Sequence, residues 1–214
     1  MKSFLIIGMG KFGHHLCESL MQYKCEIMIV DENASSLEDM LPYVVSAKVG
    51  DCTKEEVLAT FGIQEFDVVF VCMGSNFQNS LQITSLVKEM GAKKVCSRAN
   101  EKVQAKFLLR NGADEVIFPE QEAAQNIALR ESSDSIFDCI NLTEDYLICE
   151  ISPRKEWLGK TLIELGLRKT YKLSVLAVKE GETIHPMVDG TYVFKENEHI
   201  VVLGHVNDIE KAAR

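Results

Sequence analysis

Six residues near the start of the chain, Gly8-Met9-Gly10-Lys11-Phe12-Gly13, have the spacing of a phosphate-binding turn. Such a turn works only where a buried strand leads into it and a helix leaves it. Gly8 then permits the tight bend, Gly10 lets backbone approach a pyrophosphate, and Gly13 lets the helix pack close to the strand. The helix start offers unpaired N–H groups and the positive end of a dipole to the anion. Asp31 lies 18 residues past Gly13, with Glu32 beside it. An acid at that place hydrogen-bonds ribose hydroxyls and repels a 2′-phosphate, so NADP is disfavoured against adenine nucleotides without one.

Further polar residues fall just after apolar runs, at the strand ends where such sheets bind ligands. Asp51 is placed to face an adenine, Ser75 and Asn76 follow a fourth run, and Arg98 follows a fifth, within reach of a phosphate. Lys11 is placed to reach a terminal phosphate. Adjacent His14 and His15 point to different helix faces and make a poor metal chelator. Catalytic patterns are missing: there is no nucleophile elbow, no Ser-His-Asp logic and no Walker lysine motif. Binding without turnover is the expectation, so the chain reads as a sensor and not an enzyme. An NAD-dependent oxidoreductase is the alternative from another class.

The elements that must position these residues are legible as alternation. Strands are predicted at 3–7, 26–30, 44–49, 68–72, 94–97 and 115–118, with helices at 12–23, 33–41, 54–61, 77–90 and 102–111. A further helix runs from Pro119 to about Glu131. Strict strand–helix alternation predicts an α/β, Rossmann-type doubly wound parallel sheet over residues 1–134. Ser132-Ser133-Asp134-Ser135 reads as a linker. Residues 135–214 read as a small α+β domain, with strands at 146–151, 173–179 and 199–203, a weaker one near Tyr192, a helix at 159–168 and a last helix from about Asn207.

The net charge of −9 argues against nucleic acid or anionic lipid as partner, since both are met with clustered Lys and Arg. The seven cysteines are scattered and contain no Cys-x-x-Cys pair, which predicts buried reduced thiols and a reducing, cytoplasmic setting. The N-terminal apolar run is far shorter than the ~20 residues of a membrane span.

The first part of the chain resembles the N-terminal regulator-of-potassium-conductance domain of Trk/Ktr uptake systems. The resemblance rests on Ile6-Ile7-Gly8 through Gly13, Val30-Asp31, Gly50-Asp51-Cys52-Thr53, Gly74-Ser75-Asn76, Ser97-Arg98-Ala99 and Gly112 to Glu120. The remainder is similar to that family's companion domain, through Leu158-Gly159-Lys160-Thr161-Leu162, Leu167-Arg168, Val175 to Val178 and Lys195 to Glu198. The resemblance implies a cytoplasmic gating subunit, peripheral at the inner face of the membrane. It further implies self-association to a dimer or octameric ring under an integral-membrane potassium channel subunit of the TrkH/KtrB kind. ATP, ADP or NAD(H) would occupy the first domain, with Gly8, Gly10 and Gly13 lining the pyrophosphate and Met9 and Phe12 among the binding residues. Asp31 and Glu32 would take the ribose, Asp51 and Cys52 the adenine, and Arg98 a phosphate. Lys11 stands where ATP-responsive members often carry Arg. Glu120 matches an acid near the phosphates and a bound cation. Arg168, Tyr171, Ser174 and Pro186 fall in the segment where some members bind cyclic di-AMP, with Ser174 in place of an Asn. Regulation of a different cation transporter is the remaining alternative.

Overall fold

The computed structural model describes residues 1–74, 76–143 and 145–213. They form two compact units, Met1–Gln121 and Glu122–Arg214.

The first unit alternates as its sequence does. In chain order it holds β1 (Lys2–Ile7), α1 (Lys11–Leu20), β2 (Cys25–Asp31), β3 (Ser46–Val49), α2 (Glu55–Leu58), β4 (Val68–Val71), α3 (Phe77–Glu89), β5 (Val95–Arg98), α4 (Lys102–Arg110) and β6 (Glu115–Ile117). All strand pairs are parallel, in the order β3-β2-β1-β4-β5-β6. A strand covered on both faces must be apolar at every position. The central strand β1 meets this with Leu5, Ile6 and Ile7, all 2% exposed or less. Leu5 and Ile7 pack on one face with Val69, Val71 and Ile83, and Ile6 packs on the other with Cys17 and Ile29. From β1 the chain winds out to β3, then returns to β4 and winds the other way. The order therefore reverses between β1 and β4, which opens a crevice at their carboxyl ends.

Two predicted helices shorten here. Residues 33–41 form only two 3₁₀ turns, Ala34–Ser36 and Glu38–Met40. The Asn33 side chain accepts the Ser35 N–H at 3.1 Å, a local bond that competes with helix propagation. Residues 54–61 are α-helical only in α2, and Gly62 then stops the chain in a left-handed conformation.

α5 (Pro119–Glu131) carries the chain from one unit into the next, and its Leu129 packs on the second core. The division between units thus falls inside this helix, ahead of the polar 132–135 stretch. The second unit continues with β7 (Ile136–Asn141), β8 (Tyr146–Ile151), α6 (Leu162–Leu165), α7 (Leu167–Thr170), β9 (Ser174–Glu180), β10 (Thr183–Pro186), β11 (Glu198–His205) and α8 (Val206–Ala213). Its sheet is antiparallel, ordered β10-β9-β11-β8-β7, over a core that includes Trp157, Phe194, Ile200 and Val202. The strands β7 and β10 add to those read from sequence. The predicted 159–168 helix is split by Gly166 at φ 55°, and the strand near Tyr192 reduces to one bridge, Thr161 to Val193.

One cysteine expectation is corrected. Cys139 and Cys149 stand directly opposite on β7 and β8 and are joined in a disulfide. Antiparallel pairing brings the two sulfurs together although ten residues separate them. The other five cysteines, all in the first unit, are free.

Glu198 shows how the second unit handles a buried charge. Its side chain is 1% exposed and accepts the Tyr192 hydroxyl at 2.8 Å and the Lys195 N–H at 3.0 Å, with Lys195 Nζ at 3.2 Å. Burial raises its carboxyl, but these partners outweigh burial and hold it below the usual carboxylate range, while the Tyr192 phenol is pushed up to about 12 by burial and by Glu198. A depressed carboxyl stabilises the fold above its unfolded value and loses that contribution as pH falls through its folded value. Glu198→Ala should destabilise the second unit by about 2–4 kcal/mol at pH 7, from lost bonds and a cavity. The deficit should shrink in urea titrations carried below about pH 4, near the reference carboxylate value.

Candidate functional site

The crevice at the β1/β4 reversal is a cleft of about 520 Å³ in the first unit. Its floor is the glycine turn. Gly8 sits at φ 93°, and a Cβ on Gly13 would lie 2.2 Å from the Gly8 carbonyl oxygen, so α1 touches the turn backbone to backbone. A Cβ on Gly10 would meet no protein atom within 4 Å, although Gly10 lines the cleft. Gly10 therefore leaves open space on the cleft side of the turn. Gly10 is also the N-cap of α1, with no side chain to bond the first-turn N–H groups and no acidic residue in that turn. An anion is the natural cap for such an end.

Asp31 ends β2 at the cleft wall. Its Oδ2 accepts the Met9 N–H at 2.7 Å and its Oδ1 accepts the Asn33 N–H at 2.9 Å. The carboxylate thus holds the glycine turn as well as facing the cleft. Met9 contributes only its backbone, since its side chain is buried in the α1 core. Glu32, Lys11 and Phe12 line the cleft beside these residues.

Asp51 and Cys52 form the next stretch of wall. Asp51 Oδ1 accepts the Thr53 hydroxyl at 2.6 Å and the Thr53 N–H at 3.0 Å, bonds that lower its carboxyl. Cys52 is 5% exposed, and burial with the Asp51 and Asp31 charges pushes its thiol up to about 12. It offers shape and an apolar surface, not a nucleophile.

Arg98 closes the far side. Its guanidinium Nη2 lies 2.5 Å from Glu120 Oε1, and its centre is 6.0 Å from the Phe12 ring. The side chain is 17% exposed, and its Nε is buried with no hydrogen-bond partner among the described residues. Gly74 makes room for it, since a Cβ there would stand 2.3 Å from Arg98 Nη1.

The cleft therefore gathers Gly8, Gly10, Lys11, Phe12, Asp31, Glu32, Asp51, Cys52, Arg98 and Glu120. Gly13 supports it from beneath. Asn76 does not line it: its side chain caps α3 by accepting the Asn79 N–H at 3.1 Å, and Asn79 lines the cleft instead. Ser75 lies outside the described residues. Sequence reading missed Thr53, Met73, Gly74 and Asn79 as wall residues. Thr53, Met73 and Gly74 sit within a few residues of a strand end, which was the available signal, whereas Asn79 lies in the first turn of α3.

The residues of the suggested second site lie on separate elements. Arg168 is exposed in α7, Ser174 begins β9 and Pro186 ends β10. Tyr171 is drawn onto the core, 5.3 Å from the Trp157 ring and 5.1 Å beneath the Arg154 guanidinium.

Residues 4–119 match the TrkA-N domain and residues 148–214 the TrkA-C domain. The chain is 31% identical over 210 residues to Ktr system potassium uptake protein C of Bacillus subtilis, covering 98% of this chain and 95% of that one. Among solved structures it is similar to the GsuK channel bound to NAD, with TM-score 0.69 and 18% identity, over 100% of this chain and 39% of the channel chain. It is also similar to GsuK bound to ADP, with TM-score 0.54 and 15% identity, over 60% of this chain and 34% of that chain. Those two likenesses speak for the fold.

Proposed function

This chain belongs to the family of proteins that join a TrkA-N to a TrkA-C domain, and we propose that it is the nucleotide-binding regulatory subunit of a membrane potassium uptake system. The observation that carries the reading is the convergence of an uncapped helix start, Asp31 and Arg98 on one cleft of nucleotide size. The potassium role rests on the likeness to a protein named for potassium uptake, and the nucleotide on GsuK structures named for NAD and ADP. No helix among the described residues is long and apolar enough to cross a membrane.

In this reading phosphates meet the first turn of α1, the ribose meets Asp31, and the adenine lies along Asp51 and Cys52. Lys11 and Arg98 sense the terminal phosphate. Arg98 is already held by Glu120, so an incoming phosphate must take the guanidinium from that carboxylate or share it. Glu120, once released, is an acid beside bound phosphates, a setting suited to a cation. A ligand that prefers one arrangement shifts the population by its difference in affinity. The function assigned to residues 1–134 is this sensing, and residues 135–214 serve self-association to a dimer or ring. A cyclic dinucleotide held by Arg168, Tyr171, Ser174 and Pro186 is the corresponding proposal for the second unit. The subunit works in the cytoplasm, docked on its channel.

Calorimetric titration of the purified chain with ATP, ADP, NADH and NADPH tests the reading. Binding of the first three and a weak or absent NADPH signal is expected. Arg98→Ala should weaken ATP by about 10–100-fold, the worth of a charge-assisted bond, and narrow the gap between ATP and ADP. A protein indifferent to every nucleotide, and whose size in solution none of them alters, overturns the proposal.

A further inference from the structure

The Cys139–Cys149 bond lies in the second unit, and nothing in the nucleotide reading uses it. Among the described residues β7 is the outer strand of its sheet and pairs with β8 alone. It carries a register shift between Ile136 and Asp138, so its ladder is interrupted near its start. Two side-chain devices hold it, one on each face. On one face Phe137 reaches across β8 and stacks its ring on His199 of β11, with centroids 3.8 Å apart. On the other face the disulfide ties Cys139 to Cys149 within the core layer.

We propose that Cys139 and Cys149 are a reversible thiol–disulfide site, at which a dithiol reductant releases the edge strand β7 while the rest of the second unit stays folded. Three observations carry this. The bond closes a short loop, with a sequence separation of 10, so it restricts the unfolded chain less than a long-range bridge does. The core beside it is built mostly from residues of other elements, Trp157, Phe194, Ile200 and Val202 among them, and β7 adds only Ile136 and Cys139 to it. Two thiols at the same positions remain small apolar side chains that fit a buried layer. The five free cysteines belong to the first unit, and in four of them burial foremost pushes the thiol up to about 11 or 12, which leaves them poor competitors for exchange.

The exchange balances. A thiolate of the dithiol attacks Cys139 Sγ, the more exposed partner at 8% against 0% for Cys149, and on the edge strand. A bond forms between reductant and Cys139, the Cys139–Cys149 bond breaks, and Cys149 leaves as a thiolate that takes a proton. The second thiolate of the reductant then attacks the reductant's own sulfur in the mixed disulfide. The reductant departs as its disulfide, and Cys139 leaves as a thiolate and is protonated. Two electrons pass from the dithiol to the protein.

The experiment uses the full chain and dithiothreitol as the dithiol. Thiols are alkylated in denaturant and counted by intact mass, before and after reduction, and again after return to oxidised glutathione. Five, seven and five alkylations are expected, from five free cysteines and one disulfide. Hydrogen exchange is followed in parallel. Amides of residues 136–141 should exchange at least about tenfold faster on reduction, as a locally opened strand does, while β11 keeps its protection. A Cys139→Ser/Cys149→Ser double variant should show the fast β7 exchange in both redox conditions. Seven alkylations at every stage would overturn the proposal. So would unchanged β7 exchange on reduction. Loss of protection across β8 and β11 together would also overturn it, because the bond would then be a structural staple.

Discussion

Gly13→Ala is expected to cost the first unit about 1–3 kcal/mol of stability and most of its nucleotide affinity together. The added Cβ would lie 2.2 Å from the Gly8 oxygen and 3.2 Å from the Gly8 carbonyl carbon. Both atoms are backbone in a turn at φ 93°, so no side chain can swing aside. α1 must lift off the turn. Gly13 shares the buried face of α1 with Cys17, which is 0% exposed, so lifting also opens the packing over β1 and β2. The same shift carries the first-turn N–H groups away from the phosphate position, and hydrogen bonds weaken steeply with misalignment. Losing two such bonds corresponds to about 100-fold in dissociation constant. Gly10→Ala separates the two effects. Its Cβ meets no protein atom, so stability should fall by less than about 1 kcal/mol, the difference between N-cap residues, while binding suffers from a methyl group in the cleft. Urea unfolding and titration with NADH, run on both variants, read the two quantities. A Gly13→Ala protein of wild-type stability and affinity would show that α1 does not need its close approach.

The contrast between these glycines also shows what the sequence could reveal. The spacing from Gly8 to Gly13 was readable because a contiguous turn has one mechanical solution between a buried strand and a helix. The strand ends were readable because β1, β2 and β4 carry unbroken apolar runs, Phe4 to Ile7, Ile27 to Val30 and Val68 to Val71. Which residue of each following loop faces the cleft was not readable, since that depends on side-chain direction. Asn76 reads as a wall residue and is a helix cap, whereas Asn79 is the wall residue. β7 escaped because its register shift breaks the period of two that identifies a strand. With β7 unseen, Cys139 and Cys149 had no reason to meet. Glu198 escaped for a different reason. The sequence places it in the charged stretch Lys195-Glu196-Asn197-Glu198 without assigning it a partner, yet Asn197 turns through φ 69° and Glu198 accepts the Tyr192 hydroxyl. Burial of one charge among several neighbours is a tertiary property.

Asp31→Ala is expected to weaken NADH binding by about 100-fold and to raise NADPH binding relative to NADH by at least about tenfold. The two changes have separate causes. Asp31 Oδ2 holds the Met9 N–H at 2.7 Å, and Met9 is 2% exposed, so truncation strands a backbone donor where water reaches it poorly. That loss of about 1–3 kcal/mol loosens the glycine turn and lowers affinity for every nucleotide. The second effect is selective. A carboxylate at the ribose position accepts hydroxyl hydrogens and repels a 2′-phosphate, so its removal costs NADH a bond and relieves NADPH of a repulsion. Glu32, which also lines the cleft, keeps part of the repulsion and sets the relief below complete inversion. Asp31→Asn divides the causes further. Its amide oxygen can still accept the Met9 N–H, but its amide nitrogen cannot accept the Asn33 N–H, so stability in urea should return part of the way toward wild type, while the charge that opposes a 2′-phosphate is gone. The ratio of NADPH to NADH affinity should therefore rise in both variants, and the turn should be weakened more in Asp31→Ala. Equal losses for the two nucleotides in both variants would mean that Asp31 only holds the turn and does not read the ribose.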